Sequence, residues 1–93
     1  MLLEFQANAE NLTPAEARIA LYYLNGYEVS EIPELAGISI NTVKKHNKNV
    51  YRKMKVSSKE ELVLIFDLMQ RCGCLEKLEG LLNEKISSGK KDM

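Results

Sequence analysis

The chain has 93 residues, which is enough for one domain with a modest core but not for a deep cleft between two layers. Hydrophobic residues make up 45% and charged residues 28%, a composition typical of globular proteins and not of disordered ones. No apolar run reaches the roughly 18 residues of a membrane-spanning helix, and the N-terminus lacks the basic segment of a signal peptide. We therefore expect a cytoplasmic protein with no membrane partner.

The net charge is zero, but charges of opposite sign are segregated along the chain. Residues 1–38 carry six acidic and one basic residue, whereas 39–59 carry seven basic residues and no acidic one. Residues 60–93 carry seven acidic and five basic residues. Such a basic segment is an electrostatic footprint that the net charge hides, and it indicates an anionic partner. The alternative is a solvated basic face on a small helical bundle.

Residues that could support catalysis or hold a metal are few. Cys72 and Cys74 are separated by one residue, which does not match the spacing of a zinc site, and His46 is the only histidine. No paired carboxylates, nucleophile with a base, or phosphate-binding loop can be assembled. We predict two reduced thiols, no metal, no cofactor and no enzyme activity.

Helical spacing recurs along the chain and predicts an all-α fold. Thr13 and Pro14 form a helix start, and Glu16 completes a capping box three residues after Thr13. Gly26 ends this first predicted helix, over about 14–25. Its apolar stripe comprises Ile19, Ala20, Tyr23 and Leu24.

A short second helix is predicted to end at Ala36, just before Gly37. Pro33 lacks the amide that a helix interior needs, so it predicts a late or distorted start. The residues expected to face inward are Ile32, Leu35 and Ala36.

The third predicted helix, over about 40–54 with Ser39 as its cap, carries the basic segment on one face. Its apolar face comprises Val43, Val50 and Met54, interrupted by Asn47. The opposite face comprises Asn41, Lys44, Lys45, Lys48 and Arg52. Two helices joined by a tight glycine turn, with an exposed basic stripe on the second, are typical of a helix-turn-helix that reads the major groove.

Two further helices are predicted beyond the basic segment. Ser57 or Ser58 caps a helix that is apolar over more than one face, so this helix is either central to the core or shared with another chain. After Gly73, a fifth amphipathic helix is marked by Leu75, Leu78, Leu81, Leu82 and Ile86. The final residues, SSGKKDM, predict a loose tail.

The stretches LTPAEARIALYYLNG and ISINTVKKHNKNVYRKMKVSSKEEL resemble the LuxR/GerE-type helix-turn-helix domain, the output domain of NarL-like response regulators, over about 12–66. The most specific part is TVKKH, then Asn49, YRKM, Val56 and Ser58. The resemblance implies a four-helix bundle, to which the fifth amphipathic helix is an addition. We expect an N-terminal extension over 1–11, this domain over 12–71, the extra helix over 72–86 and a flexible tail over 87–93.

The resemblance also implies how the third predicted helix reads DNA. Base contacts are expected from Lys44, Lys45 and Lys48, with Asn41 on the same face. Contacts to the DNA backbone are expected from Thr42, His46, Arg52, Lys53 and Lys55. Pro33 and Asn47 depart from the family pattern, and a buried asparagine needs a partner. We expect Asn47 to bond a backbone group or the core to be looser there.

These patterns predict a sequence-specific, duplex-DNA-binding transcriptional regulator that acts as a dimer. The alternative is an interaction or dimerisation module with the same fold and weak or no DNA binding; a sigma-factor region is disfavoured by the continuation into a further long helix. The expected dimer interface comprises Leu64, Ile65, Leu68, Met69, Leu75 and Leu78, unless the fifth helix folds back on its own chain. Met1–Asn11 cannot supply a receiver domain, so we expect an excised output domain or a stand-alone regulator, with any upstream receiver or sensor domain absent.

Overall fold

The computed structural model describes residues 2–91, with the side chains of residues 4–87. Six α-helices make up the fold, with a short 3-10 turn at Val29–Glu31 and no strand within the described residues. No helix in this part of the chain is long and apolar enough to cross a membrane. The helices are α1 (Leu2–Ala9), α2 (Pro14–Leu24), α3 (Ile32–Ala36), α4 (Ile40–Met54), α5 (Lys59–Arg71) and α6 (Leu75–Lys91).

Three helices begin directly after the capping residues that the sequence predicts for them. The Thr13 hydroxyl accepts a hydrogen bond from the Glu16 N–H, and the Glu16 carboxylate accepts one from the Thr13 N–H. This reciprocal pair is the predicted capping box of α2. The hydroxyls of Ser39 and Ser58 each accept from the N–H three residues further on, at the starts of α4 and α5. The predictions for these starts are confirmed.

The start of α3 is distorted, as Pro33 predicts. The 3-10 turn leads directly into α3, and Pro33 lies in its first turn, where no amide is needed. Ile32 is fully buried, but Leu35 is 46% exposed, so the prediction that Leu35 faces inward is wrong. The helix has only five residues, and within this single turn Ile32 supplies the contact with the core.

The predicted N-terminal extension contains a helix that belongs to the core. Phe5 and Ala9 of α1 are buried, and the ring of Phe5 packs edge-on against Phe66 of α5 with centroids 6.0 Å apart. Leu12, three residues beyond Ala9, is buried as well. Residues 2–11 are therefore not an extension outside the fold, since α1 closes one side of the bundle.

Helix α6 folds back onto its own chain and packs mainly against α2. Leu78 and Leu82 are buried in this contact. The helix runs from Leu75 to Lys91, so it is longer than the predicted 72–86 and occupies most of the predicted tail. Of the tail predicted at 87–93, residues 87–91 are helical, and residues 92 and 93 lie outside the described part of the chain.

Candidate nucleic-acid interface

Helices α3 and α4 form a helix-turn-helix whose turn is fixed by hydrogen bonds. Gly37 adopts a left-handed conformation with φ of 68°, which favours glycine over other residues. The N–H groups of Gly37 and Ile38 both donate to the Pro33 carbonyl, at 2.9 and 3.2 Å. Ser39 then caps α4, and its hydroxyl lies 3.0 Å from the Thr42 hydroxyl. The direction in which α4 leaves the turn is therefore well defined.

The inner face of α4 is anchored to the core by apolar contacts and one buried polar pair. Val43, Val50 and Met54 are buried, as predicted. The Tyr23 hydroxyl of α2 donates a hydrogen bond of 2.7 Å to Asn47 Oδ1. The expectation that Asn47 bonds a backbone group is wrong, because its partner is a side chain, and both residues of the pair are buried. Burial raises the pKa of Tyr23 well above the ordinary tyrosine range, so its hydroxyl stays protonated and donates.

The outer face of α4 presents the basic stripe to solvent. All five residues predicted on this face are exposed, and no acidic residue occurs anywhere in 39–59. Within the described side chains, no carboxylate forms an ion pair with Lys44, Lys45 or Lys48. The Arg52 guanidinium donates to Asn49 Oδ1 at 3.4 Å, a long contact that leaves its other donors free. This face therefore carries positive charge that no carboxylate among the described side chains neutralises.

Four of the residues expected to contact the DNA backbone lie on or beside this face. Arg52 and Lys55 are exposed, whereas Thr42 and His46 are half-buried. Lys55 caps α4 with φ of 58°, a left-handed conformation unusual for a side chain other than glycine. Its ammonium-bearing side chain thus leaves the helix at the end of the basic stripe.

The fifth residue expected to contact the DNA backbone, Lys53, forms an ion pair within the fold. Its ammonium lies 2.7 Å from Glu16 Oε1 on α2, and its side chain is only 20% exposed. This ion pair gives Lys53 a partner within the fold, so Lys53 is less available to a phosphate than Arg52 and Lys55 are. Burial alone would raise the pKa of Glu16, but the hydrogen bonds from Lys53 and from the Thr13 N–H outweigh it and hold that pKa below the ordinary value.

A second pair of contacts links α5 to Tyr23 on α2 and to Glu28 in the segment that follows α2. The Lys59 ammonium lies 2.7 Å from Glu28 Oε2 and 5.7 Å from the centroid of the Tyr23 ring. Sequence reasoning missed these contacts and the Glu16–Lys53 and Tyr23–Asn47 pairs. Their partners lie 24 to 37 residues apart in the chain, and no local pattern identifies them.

The apolar residues expected at a dimer interface separate into two groups. Leu64 is 57% exposed and Leu68 is 43% exposed, with Ile65 half-buried between them. These three residues, called here the α5 face, line an open groove beside α1 and the end of α4. Met69 and Leu78 are buried within the chain, so neither can belong to an interface, and Leu75 is half-buried at the start of α6.

The turn, the anchored inner face and the basic outer face define a helix-turn-helix DNA-binding domain. The family described as bacterial regulatory proteins of the luxR family (GerE) matches residues 10–66, and the chain belongs to this family of DNA-binding transcription regulators. The resemblance and the all-α fold predicted from the sequence are thereby confirmed. Domains of this type are regulatory DNA-binding domains and not enzymes.

Curated relatives include response regulator protein TodT of Pseudomonas putida, found in more than one strain of that organism. Each is 36% identical to this chain over 67 residues, which is 72% of this chain and 30% of the relative. The chain therefore spans less than a third of the length of these relatives. No solved structure matches the chain.

Proposed function

We propose that the chain is a sequence-specific regulator in which α4 enters the major groove of duplex DNA. The observation that carries the proposal is the outer face of α4, where Lys44, Lys45 and Lys48 are exposed and without an acidic partner among the described side chains. In helix-turn-helix proteins, residues towards the N-terminal part of the recognition helix contact base edges. Asn41 and Lys44 are in the first two turns of α4 and are the leading candidates for such contacts.

The proposed contacts divide into those that read bases and those that position the protein. Lysine donates to guanine O6 and N7, and asparagine pairs with adenine, so a half-site containing both bases fits this face. Arg52 and Lys55 would neutralise phosphates, with Thr42 and His46 completing the backbone contacts. Phosphate contacts fix register, whereas base contacts discriminate between sequences.

We also propose that two copies bind DNA together through the α5 face. Leu64 and Leu68 are apolar and largely exposed, and such residues in water mark an interaction surface. A two-fold pair would present two α4 helices to half-sites about one helical turn apart. The relatives are named as response regulators, which supports a receiver or sensor domain as the source of the controlling signal.

A fluorescence titration tests the DNA-binding proposal. The chain is added to labelled duplexes, one random and one selected from a random pool, at low and at physiological salt. We expect tighter binding to the selected duplex, and a log–log slope of roughly −0.9 per phosphate contact. Binding that is absent, or unchanged by salt, would refute the proposal and favour an interaction module that uses the α5 face.

The receiver proposal has a separate test. An antibody raised against this sequence would be applied to extracts of the source cells. A band far above 10.6 kDa is expected if the signal-receiving domain is in the same polypeptide. A band at that mass would mean that any receiver or sensor is a separate protein.

A further inference from the structure

The junction between α5 and α6 brings two thiols together. Helix α5 ends with Gly73 in a left-handed conformation, φ of 79°, and two hydrogen bonds close the turn around it. The Gly73 N–H donates to the Gln70 carbonyl at 3.2 Å, and the Cys74 N–H donates to the Met69 carbonyl at 2.8 Å. This is the pattern of a Schellman motif, in which the residues on either side of the glycine are held in fixed positions.

The two residues flanking this glycine are Cys72 and Cys74, and their sulfur atoms face each other. Cys72 Sγ lies 2.9 Å from Cys74 Sγ, with a hydrogen bond between the thiols. A disulfide has a bond length of about 2.05 Å, so closure needs the sulfurs to approach by only roughly 0.9 Å. Cys72 is exposed and Cys74 is half-buried, so a small thiol or disulfide can reach the pair.

No third ligand accompanies the two thiols. Within the described residues, no group of three or more histidine, cysteine, aspartate or glutamate side chains is placed to hold a metal ion. A structural zinc site needs four such ligands, so two thiols alone do not make one. The chemistry available to an isolated, accessible pair of facing thiols is reversible oxidation.

We propose that Cys72 and Cys74 form a dithiol–disulfide site that exchanges two electrons with a low-molecular-weight disulfide such as glutathione disulfide. This site lies outside the family-matched region, which ends at residue 66. The two reduced thiols expected from the sequence are the reduced state of this site, and the proposal adds an oxidised state.

The exchange proceeds in two steps, which together conserve atoms, protons and electrons. Cys72 is the more exposed of the two thiols, so it is the first to react, as its thiolate. Its sulfur attacks glutathione disulfide, forming a mixed disulfide and releasing one glutathione thiolate. Cys74 then loses its proton and attacks Cys72 Sγ, which expels the second glutathione thiolate. The two cysteine protons end on the two glutathione molecules, and two electrons pass from the protein to the disulfide.

The experiment equilibrates the reduced full chain with glutathione buffers of increasing oxidised fraction, quenches with acid, and measures mass. For the wild type we expect a species lighter by two hydrogen atoms, converted back to the dithiol by excess reduced glutathione. Cys72→Ser and Cys74→Ser are matched controls, because each retains one thiol and can form only a glutathione adduct or a linked dimer. The same titration in concentrated urea shows how much the folded turn contributes to the equilibrium constant for disulfide formation.

Because the folded turn holds the sulfurs together, the equilibrium constant for the intramolecular disulfide should be at least about tenfold larger in the folded chain than in urea. The proposal is overturned if the wild type yields only glutathione adducts or linked dimers. It is equally overturned if the folded and urea-unfolded chains give the same constant, since the turn would then contribute nothing.

Discussion

The buried polar pair between α2 and α4 is the least expected feature of the core. Asn47 Oδ1 accepts from the Tyr23 hydroxyl at 2.7 Å, at a position where an apolar residue would continue the face of Val43 and Val50. A buried hydroxyl without a partner costs more than a hydrogen bond gains, because its desolvation is then uncompensated. The pair therefore makes each of its members dependent on the other.

Replacing one member of this pair tests that dependence. Asn47→Leu should lower the free energy of unfolding by about 1–3 kcal/mol, because the Tyr23 hydroxyl is left buried and unpaired. Urea unfolding measures the change. Adding Tyr23→Phe to that variant removes the second polar group and should restore part of the loss. If the double variant is as unstable as the sum of the single variants, the two side chains are not coupled.

The Glu16–Lys53 pair gives the fold a pH dependence with a definite sign. The pKa of Glu16 is lower in the folded chain than its ordinary value of 4.5. A carboxyl with a depressed folded pKa contributes stability that is present above the unfolded pKa and is lost as pH falls through the folded pKa. Stability should therefore fall as the pH drops from about 4.5 through the lower folded pKa of Glu16.

Glu16→Gln is the matched variant, since it keeps an acceptor for the Thr13 N–H but has no charge to titrate. Urea unfolding at several pH values should show a shallower loss of stability on acidification in this variant than in the wild type. Parallel pH profiles would mean that Glu16 does not contribute to the acid sensitivity. The ion pair of Lys53 could not be identified from the sequence, because its partner lies 37 residues away.

At the scale of the elements, the sequence predicted those helices whose starts are marked by a capping residue or a proline. Thr13 and Ser39 cap the helices that they were expected to cap, and Pro33 distorts α3. Helix α1 was missed because no side-chain cap marks its start, although Phe5, Ala9 and Leu12 have helical spacing. The apolar spacing of α6, the fifth predicted helix, was recognised. Its polar C-terminal end was predicted to be a tail, because the sequence does not show that α6 packs on α2.

The same limit applies to the candidate site. The exposed stripe of α4 follows from helical periodicity, so Lys44, Lys45 and Lys48 could be placed correctly from sequence. The sequence could not show which apolar residues of α5 and α6 are buried within the chain, because α5 is apolar on more than one side and the stripe of α6 could pack on this chain or on a second copy. Only the fold-back of α6 shows that Leu78 is internal while Leu64 is exposed.

Substitutions along α4 distinguish reading from positioning. Lys44→Ala, Lys45→Ala or Lys48→Ala should weaken binding to the selected duplex by about 1–3 kcal/mol more than binding to random DNA. Arg52→Ala should weaken both alike and make the salt slope shallower by about one. Lys53→Ala is the internal control, since its loss should lower stability and leave the salt slope unchanged. If all the lysine variants act uniformly on both duplexes, α4 does not read sequence.

At the scale of the whole molecule, α1 and α6 lie entirely outside the family-matched region, yet both contribute buried residues to the core. Phe5 on α1 packs against Phe66, and α6 covers α2. Covering α2 removes an apolar surface that could otherwise join two copies. The exposed apolar residues that remain on the later helices are concentrated on α5, including Leu64 and Leu68.

This surface is small, and its size determines how strongly two copies can associate. Stable protein interfaces bury at least about 1,000 Å² in total, which three side chains per copy do not supply. We therefore expect weak association of the free chain and cooperative binding on DNA, where adjacent half-sites hold two copies close together. The wild type should bind a palindromic duplex more tightly than two independent binding events would, each with the affinity measured for an isolated half-site.

Leu68→Glu tests this arrangement, because it places a charge at an exposed apolar position that the fold itself does not need. The variant should bind an isolated half-site like the wild type but lose at least about tenfold in affinity for the palindrome, or about 1.4 kcal/mol. Leu35→Glu is the control for association, because Leu35 is comparably exposed but lies on α3. Sedimentation in reducing buffer, which prevents linkage through Cys72, compares all three free chains. Equal palindrome affinity and equal sedimentation of the wild type and Leu68→Glu would show that the α5 face does not join two copies.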